Sequence, residues 1–221
     1  MGLQYCSLNT LHSAISSHSQ IGNVNVESHL LVSRLLKGVF NARPPAPRYS
    51  GSWNVAIVVE YFRRRPSEGL SILELGKKVV TLMALANANR CSDLVALDRD
   101  HLRWTPAWVQ FTVVQLTKTR TPGPPREVHY SLLPEDTEVC PVTSLWLYLS
   151  RTTDQAATID SPKPVFLTSR KPFRRAHPGT MGHWIKDSLR RAGIDTGQFT
   201  AHSTRSASAL QARLEDSPLL S

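Results

Sequence analysis

With 221 residues, 41% of them hydrophobic, the chain is long enough to bury at least one sizeable core and reads as globular. Twenty-six Lys and Arg against 17 Asp and Glu leave a formal charge of +9, which makes nucleic acid the leading partner class. Three isolated cysteines (Cys6, Cys91, Cys140), eight scattered histidines and no apolar run of ~18 residues argue against a disulfide framework, a metal centre, a secretory leader and a membrane span.

The expected setting is therefore a reducing compartment, with no cofactor, no metal, no membrane contact and no small-molecule substrate. From residue 3 to 17, Leu3, Leu8, Leu11 and Ile15 recur at near-helical spacing, and residues 27–40 repeat the pattern with Leu30, Leu31, Leu35 and Leu36. Two helices are predicted there, forming a first domain over residues 1–42. Residues 43–52 concentrate Pro, Gly and Ser, which favours an extended linker and places a domain boundary before a larger domain over 53–221.

After the linker, residues 53–64 read as an amphipathic helix on Val55, Val58, Val59 and Phe62. A second helix runs from Ile72 to Asn87, with Ser71 and Glu74 in capping-box spacing. Two β-branched or aromatic runs, 108–116 and 127–132, flank a Pro-, Gly- and Arg-containing segment and predict a hairpin with a long basic tip. A helix over 142–149, a short strand over 164–168 and a helix over 181–192 follow, the last with Lys186, Arg190 and Arg191 suited to its C-terminal dipole. The five tryptophans, Trp53, Trp104, Trp108, Trp146 and Trp184, fall in apolar patterns and are expected to pack in the core. The fold class is mixed, mostly α with a small antiparallel β-sheet.

Three separated clusters gain meaning from their order. Asn89-Arg90-Cys91-Ser92-Asp93 opens a helical stretch, Lys118 and Arg120 lie on the basic hairpin tip, and His202-Ser203-Thr204-Arg205 comes late. An arginine followed three residues later by an acid, a lysine on a β-hairpin and a later His-x-x-Arg on a helix resemble the tyrosine recombinase (phage integrase-like) family. The resemblance covers residue 53 to about 209. The wording around RPPAPRYSGSW and FTAHSTRSASAL is most similar to eukaryotic mobile-element recombinases of the DIRS type.

The resemblance implies a recombinase catalytic-like domain preceded by a partial helical core-binding domain, with double-stranded DNA as the partner. It also implies DNA recombination or integration as the setting, a nuclear location and a possible homo-oligomer on DNA. Arg90 and Arg205 would hold the scissile phosphate, because guanidinium groups stay charged and donate in bidentate fashion. Lys118 would deliver a proton to the leaving oxygen, His202 would donate to the phosphate, and Asp93 would orient His202 or a nearby Arg. Arg63, Arg64, Arg65, Lys77, Lys78, Arg120, Arg170, Lys171, Arg174 and Arg175 are candidates for DNA-backbone contact, which positions a duplex without reading bases.

The same residues admit plainer readings. Arg90 and Asp93 could be a surface pair at i, i+3, Arg120 competes with Lys118 for the family role, and each basic cluster could be a solvated face.

The family's nucleophile is a tyrosine about thirty residues after the second arginine, a spacing the resemblance supplies. Sixteen residues follow Arg205 here, without Tyr, His or Trp, and the last tyrosine is Tyr148. The expectation is a chain truncated at both ends, inactive in covalent cleavage in cis, with apolar surface left exposed. Two alternatives stay open: an active recombinase whose reading frame continues, or a helical interaction protein that does not bind DNA.

Overall fold

The computed structural model describes residues 3–16, 18–45, 51–115 and 124–215, with side chains at 211 and 213–215 left out of the description. It divides into two compact units, residues 1–50 and 51–221. No described helix is long and apolar enough to cross a membrane.

The first unit holds α1 (Tyr5–Ser16), a two-residue hairpin of β1 (Gln20–Ile21) and β2 (Val24–Asn25), and α2 (Leu30–Ala42). Gly22 makes the hairpin possible: its φ of +63° lies where a Cβ would clash with backbone. Tyr5 meets Phe40 edge to face at 5.0 Å, and the Arg43 guanidinium donates to the Leu3 carbonyl. Val26 is the one buried hydrophobic residue among those described in this unit, and Leu11, Ile15, Leu30, Leu31 and Leu35 are exposed.

The second unit is built around α4 (Ile72–Ala86), which is mostly apolar and buried from Leu75 to Leu85 apart from Lys77. Ser71 caps it by accepting from the Glu74 N–H at 3.3 Å. Around α4 pack α3 (Val55–Arg63), α5 (Cys91–Val95), α6 (Pro141–Arg151), α8 (Pro178–Arg191) and α9 (Ser203–Glu215), with α7 (Thr153–Ala157) extending α6. Gly76 permits close approach there, since a Cβ would lie 3.2 Å from the Tyr148 ring and 3.4 Å from Trp184.

The sheet has three antiparallel strands in the order β3 (Leu102–Trp104), β4 (Trp108–Val113) and β5 (Arg126–Ser131). On β5, Val128 and Tyr130 point inward between exposed neighbours, the period-two pattern of a half-covered strand. The hairpin register ends at Val113 opposite Arg126.

Several expectations need correction. Residues 164–168 form no strand, only isolated bridges, because the segment pairs with Asp98 at Pro164 and with Arg175 at Leu167, and no two successive residues share a neighbour. Trp104 and Trp146 are 41% and 60% exposed, so they do not pack in the core as Trp53 and Trp184 do. The expectation for the linker, residues 43–52, falls partly on 46–50, which lie outside the described residues.

Candidate functional site

The site begins at the end of α4. The chain leaves that helix through Asn87 and Ala88 and enters α5 at Arg90, the residue that precedes its first turn. Ala88 sits at φ +47°, in the left-handed region that strains an L side chain. Such strain persists where surrounding bonds over-determine it. Here Asn87 Nδ2 donates to the His129 carbonyl at 2.6 Å, Asn89 Nδ2 donates to the Tyr130 hydroxyl, and Arg205 Nε donates to the Ala88 carbonyl at 2.7 Å.

That last bond decides the layout, since it ties the second arginine of the late motif to the loop that carries the first. Arg205 lies in the opening turn of α9, and α9 is held at its start by the Trp53 indole donating to Ser203 Oγ at 2.9 Å. Helix α8 closes the arrangement from a third side. A Cβ at Gly182 would be 3.9 Å from Cys91 Sγ and 4.0 Å from Ala201 Cβ, so α8 lies against the residue after Arg90 and the one before His202. Burial pushes the Cys91 thiol above its ordinary pKa, which keeps it a poor nucleophile.

Asp93 is buried and accepts from the Arg90 backbone N–H at 3.2 Å, with one Arg126 terminal nitrogen 4.0 Å away. Its role is therefore to fix the start of α5 and to face the base of the β4–β5 hairpin. His202 stands just before α9 rather than on it, and it is exposed. The hairpin tip with Lys118 and Arg120 lies outside the described residues.

Among the described residues the Arg90 guanidinium has no hydrogen-bonded or ionic partner, although Arg90 is half-buried. Arg205 commits its Nε to Ala88, and its two terminal nitrogens likewise have none. A guanidinium with no counter-charge among the described residues can donate to an anion.

The candidate backbone contacts divide sharply. Lys78 is wholly buried, donating to the carbonyls of Phe62 (3.2 Å) and Arg65 (2.7 Å) with Glu138 at 3.5 Å, so it secures the end of α3 and cannot reach DNA. Its burial pushes the ammonium below the ordinary lysine pKa. Lys77 is taken up by Glu74 and Asp187, and Arg63 by Glu60 and Asp136. Arg64 pairs with the same Glu60, and Arg65 lies over the Tyr61 ring. Arg175 donates to the Val95 carbonyl and to Asp98, tying its loop to the end of α5. Of the four candidate cations in that loop, Arg170, Lys171 and Arg174 remain exposed.

The sequence pattern assigns no role to Asn87, Ala88, Asn89, Arg126 or Tyr130. The run Asn-Ala-Asn directly before Arg90 was the available signal, because Asn is favoured where a chain turns with local side-chain bonds.

No family model matches the chain, and no curated protein matches it. Among solved structures that do match is one described as the crystal structure of XerA recombinase, at 15% identity and a TM-score of 0.48 over 99% of this chain and 71% of that one. At that level the likeness carries no conclusion about family or function.

Proposed function

We propose that this chain grips duplex DNA through its phosphates, with Arg90 and Arg205 as a paired guanidinium clamp of tyrosine recombinase-like design. The observation that carries the reading is the half-buried Arg90 without a partner among the described residues, next to a loop pinned by Arg205. Guanidinium pairs suit a phosphate's non-bridging oxygens because they donate two parallel hydrogen bonds and keep their charge at every physiological pH. Arg126 at the hairpin base and Arg170, Lys171 and Arg174 on their loop would extend the contact along the backbone. Lys118 and His202 would donate to the same phosphate.

On this reading the chain holds phosphate by charge-assisted hydrogen bonds, and no residue of these 221 is assigned as a nucleophile. The helical unit over 1–50 would correspond to core-binding helices, and the protein would derive from a eukaryotic mobile element, acting on DNA in the nucleus, with possible self-association there. Duplex binding measured across a salt series tests the reading. Affinity should fall steeply with salt, and the double change Arg90→Ala with Arg205→Ala should flatten that fall; binding indifferent to salt would end it.

A further inference from the structure

We infer that Tyr130 and Asn89 are positioning residues for Arg90, a buried brace that fixes the backbone from which its guanidinium projects; the inference rests on reading Arg90 as a phosphate-binding residue.

The loop from Asn87 to Arg90 has few ways to hold a strained conformation by packing alone. Ala88 is the one non-glycine residue at positive φ among those described, and its side chain is a single methyl. What fixes the loop is polar. Asn87 reaches the backbone of β5 at His129, and Asn89 reaches the side chain of the next residue on that strand, Tyr130. Two asparagines flanking a strained residue thus grasp two successive positions of one strand.

The anchor end of the brace is rigid. Tyr130 is 2% exposed and packs edge to face with Phe111 of β4, and Asn89 is 5% exposed. Burial raises the Tyr130 pKa, so the phenol keeps its proton and stays a neutral partner. An amide buried to this degree must find a partner, and one held in the sheet gives the loop a fixed reference. At the working end, Asn89 is bonded in sequence to Arg90, whose own N–H is received by Asp93. The guanidinium therefore leaves a backbone fixed on both sides, by the sheet before it and by α5 after it.

A purely architectural role for the pair would satisfy two buried groups and nothing else. The two roles separate in a double-mutant cycle on binding to a duplex of arbitrary sequence, read as Kd at fixed salt together with thermal unfolding. Arg90→Ala is expected to weaken binding roughly 10- to 100-fold, the value of charge-assisted hydrogen bonds to a phosphate. Tyr130→Phe keeps the ring and removes the hydroxyl, and it should weaken binding about 3- to 10-fold by loosening the backbone that carries Arg90. Added to Arg90→Ala, it should weaken binding less than about 2-fold further, while its effect on unfolding persists in both backgrounds.

Equal losses from Tyr130→Phe in both backgrounds would assign the pair to architecture alone, and no loss in either would remove it from binding altogether. If Arg90→Ala itself leaves Kd unchanged, the phosphate reading of Arg90 fails first, an outcome visible before the cycle is completed. Should Tyr130→Phe not fold, Asn89→Ala enters the same cycle from the other end of the hydrogen bond, with the same expected pattern.

Discussion

Replacing Lys78 by Met gives the clearest separation of an internal cation from a DNA-contacting one. The side chain is fully buried, so the substitution keeps most of the packing volume and removes one ammonium. Two carbonyl oxygens, of Phe62 and Arg65, lose their side-chain donor. The Phe62 carbonyl keeps the Arg65 N–H at 3.0 Å, so the Arg65 carbonyl is the acceptor left unpaired, at about 1–3 kcal/mol. Glu138 loses a partner at 3.5 Å but keeps the Ser67 N–H and is one-third exposed, so its share is small. Relief of the ammonium's desolvation works in the opposite direction, because a buried cation is itself expensive. The balance is a loss of about 1–2 kcal/mol, which for a chain of this size lowers Tm by roughly 2–8 °C. Calorimetry measures the shift, and the salt dependence of duplex binding should not change at all. An unchanged Tm with weakened, less salt-sensitive binding would refute the assignment and return Lys78 to the DNA surface.

Other consequences follow from the same contacts. Ala88→Val should destabilise by about 2 kcal/mol or more and weaken duplex binding, because a β-branched residue resists positive φ, whereas Ala88→Gly should be tolerated; denaturant unfolding of the pair checks both. Trp184→Ala should cost about 3–5 kcal/mol and Trp146→Ala less than about 0.5 kcal/mol, since one is 7% exposed and the other 60%; equal costs would contradict their placement. Burial raises the pKa of Tyr130 and Tyr148 above the ordinary 10. Their contribution is full below pH 10, where folded and unfolded states both keep the proton, and is lost as pH rises toward the raised folded values, where only the folded state does. Stability should thus decline on the alkaline side, and Tyr148→Phe should make that decline shallower.

Much of the second unit could be read directly from residues. The Ser71 cap, the apolar run of α4 and the alternation in β5 are local signals, and the structure follows them closely. The three residues of β3 were too few to show a period, and the β1–β2 hairpin is shorter still, though Gly22 marked its turn. The basic clusters were the least legible, because a charge in a sequence does not announce its partner. Lys78 lies three residues after Leu75 and four before Leu82, both buried, so its place on the core face of α4 was visible from spacing. Arg174 and Arg175 are neighbours, yet one is exposed and the other is spent on Asp98 and Val95. Arg90 and Arg205 were found by motif order, but the bond to Ala88 that joins them spans 117 positions and has no local trace.

The salt dependence of duplex binding by the intact chain, set beside that of Arg90→Ala and Arg205→Ala singly and together, tests the phosphate clamp most directly. Each single change should reduce the slope of log K against log salt by about 1, and the double change by about 2, with folding retained. Slopes that stay equal in all four proteins would contradict the clamp.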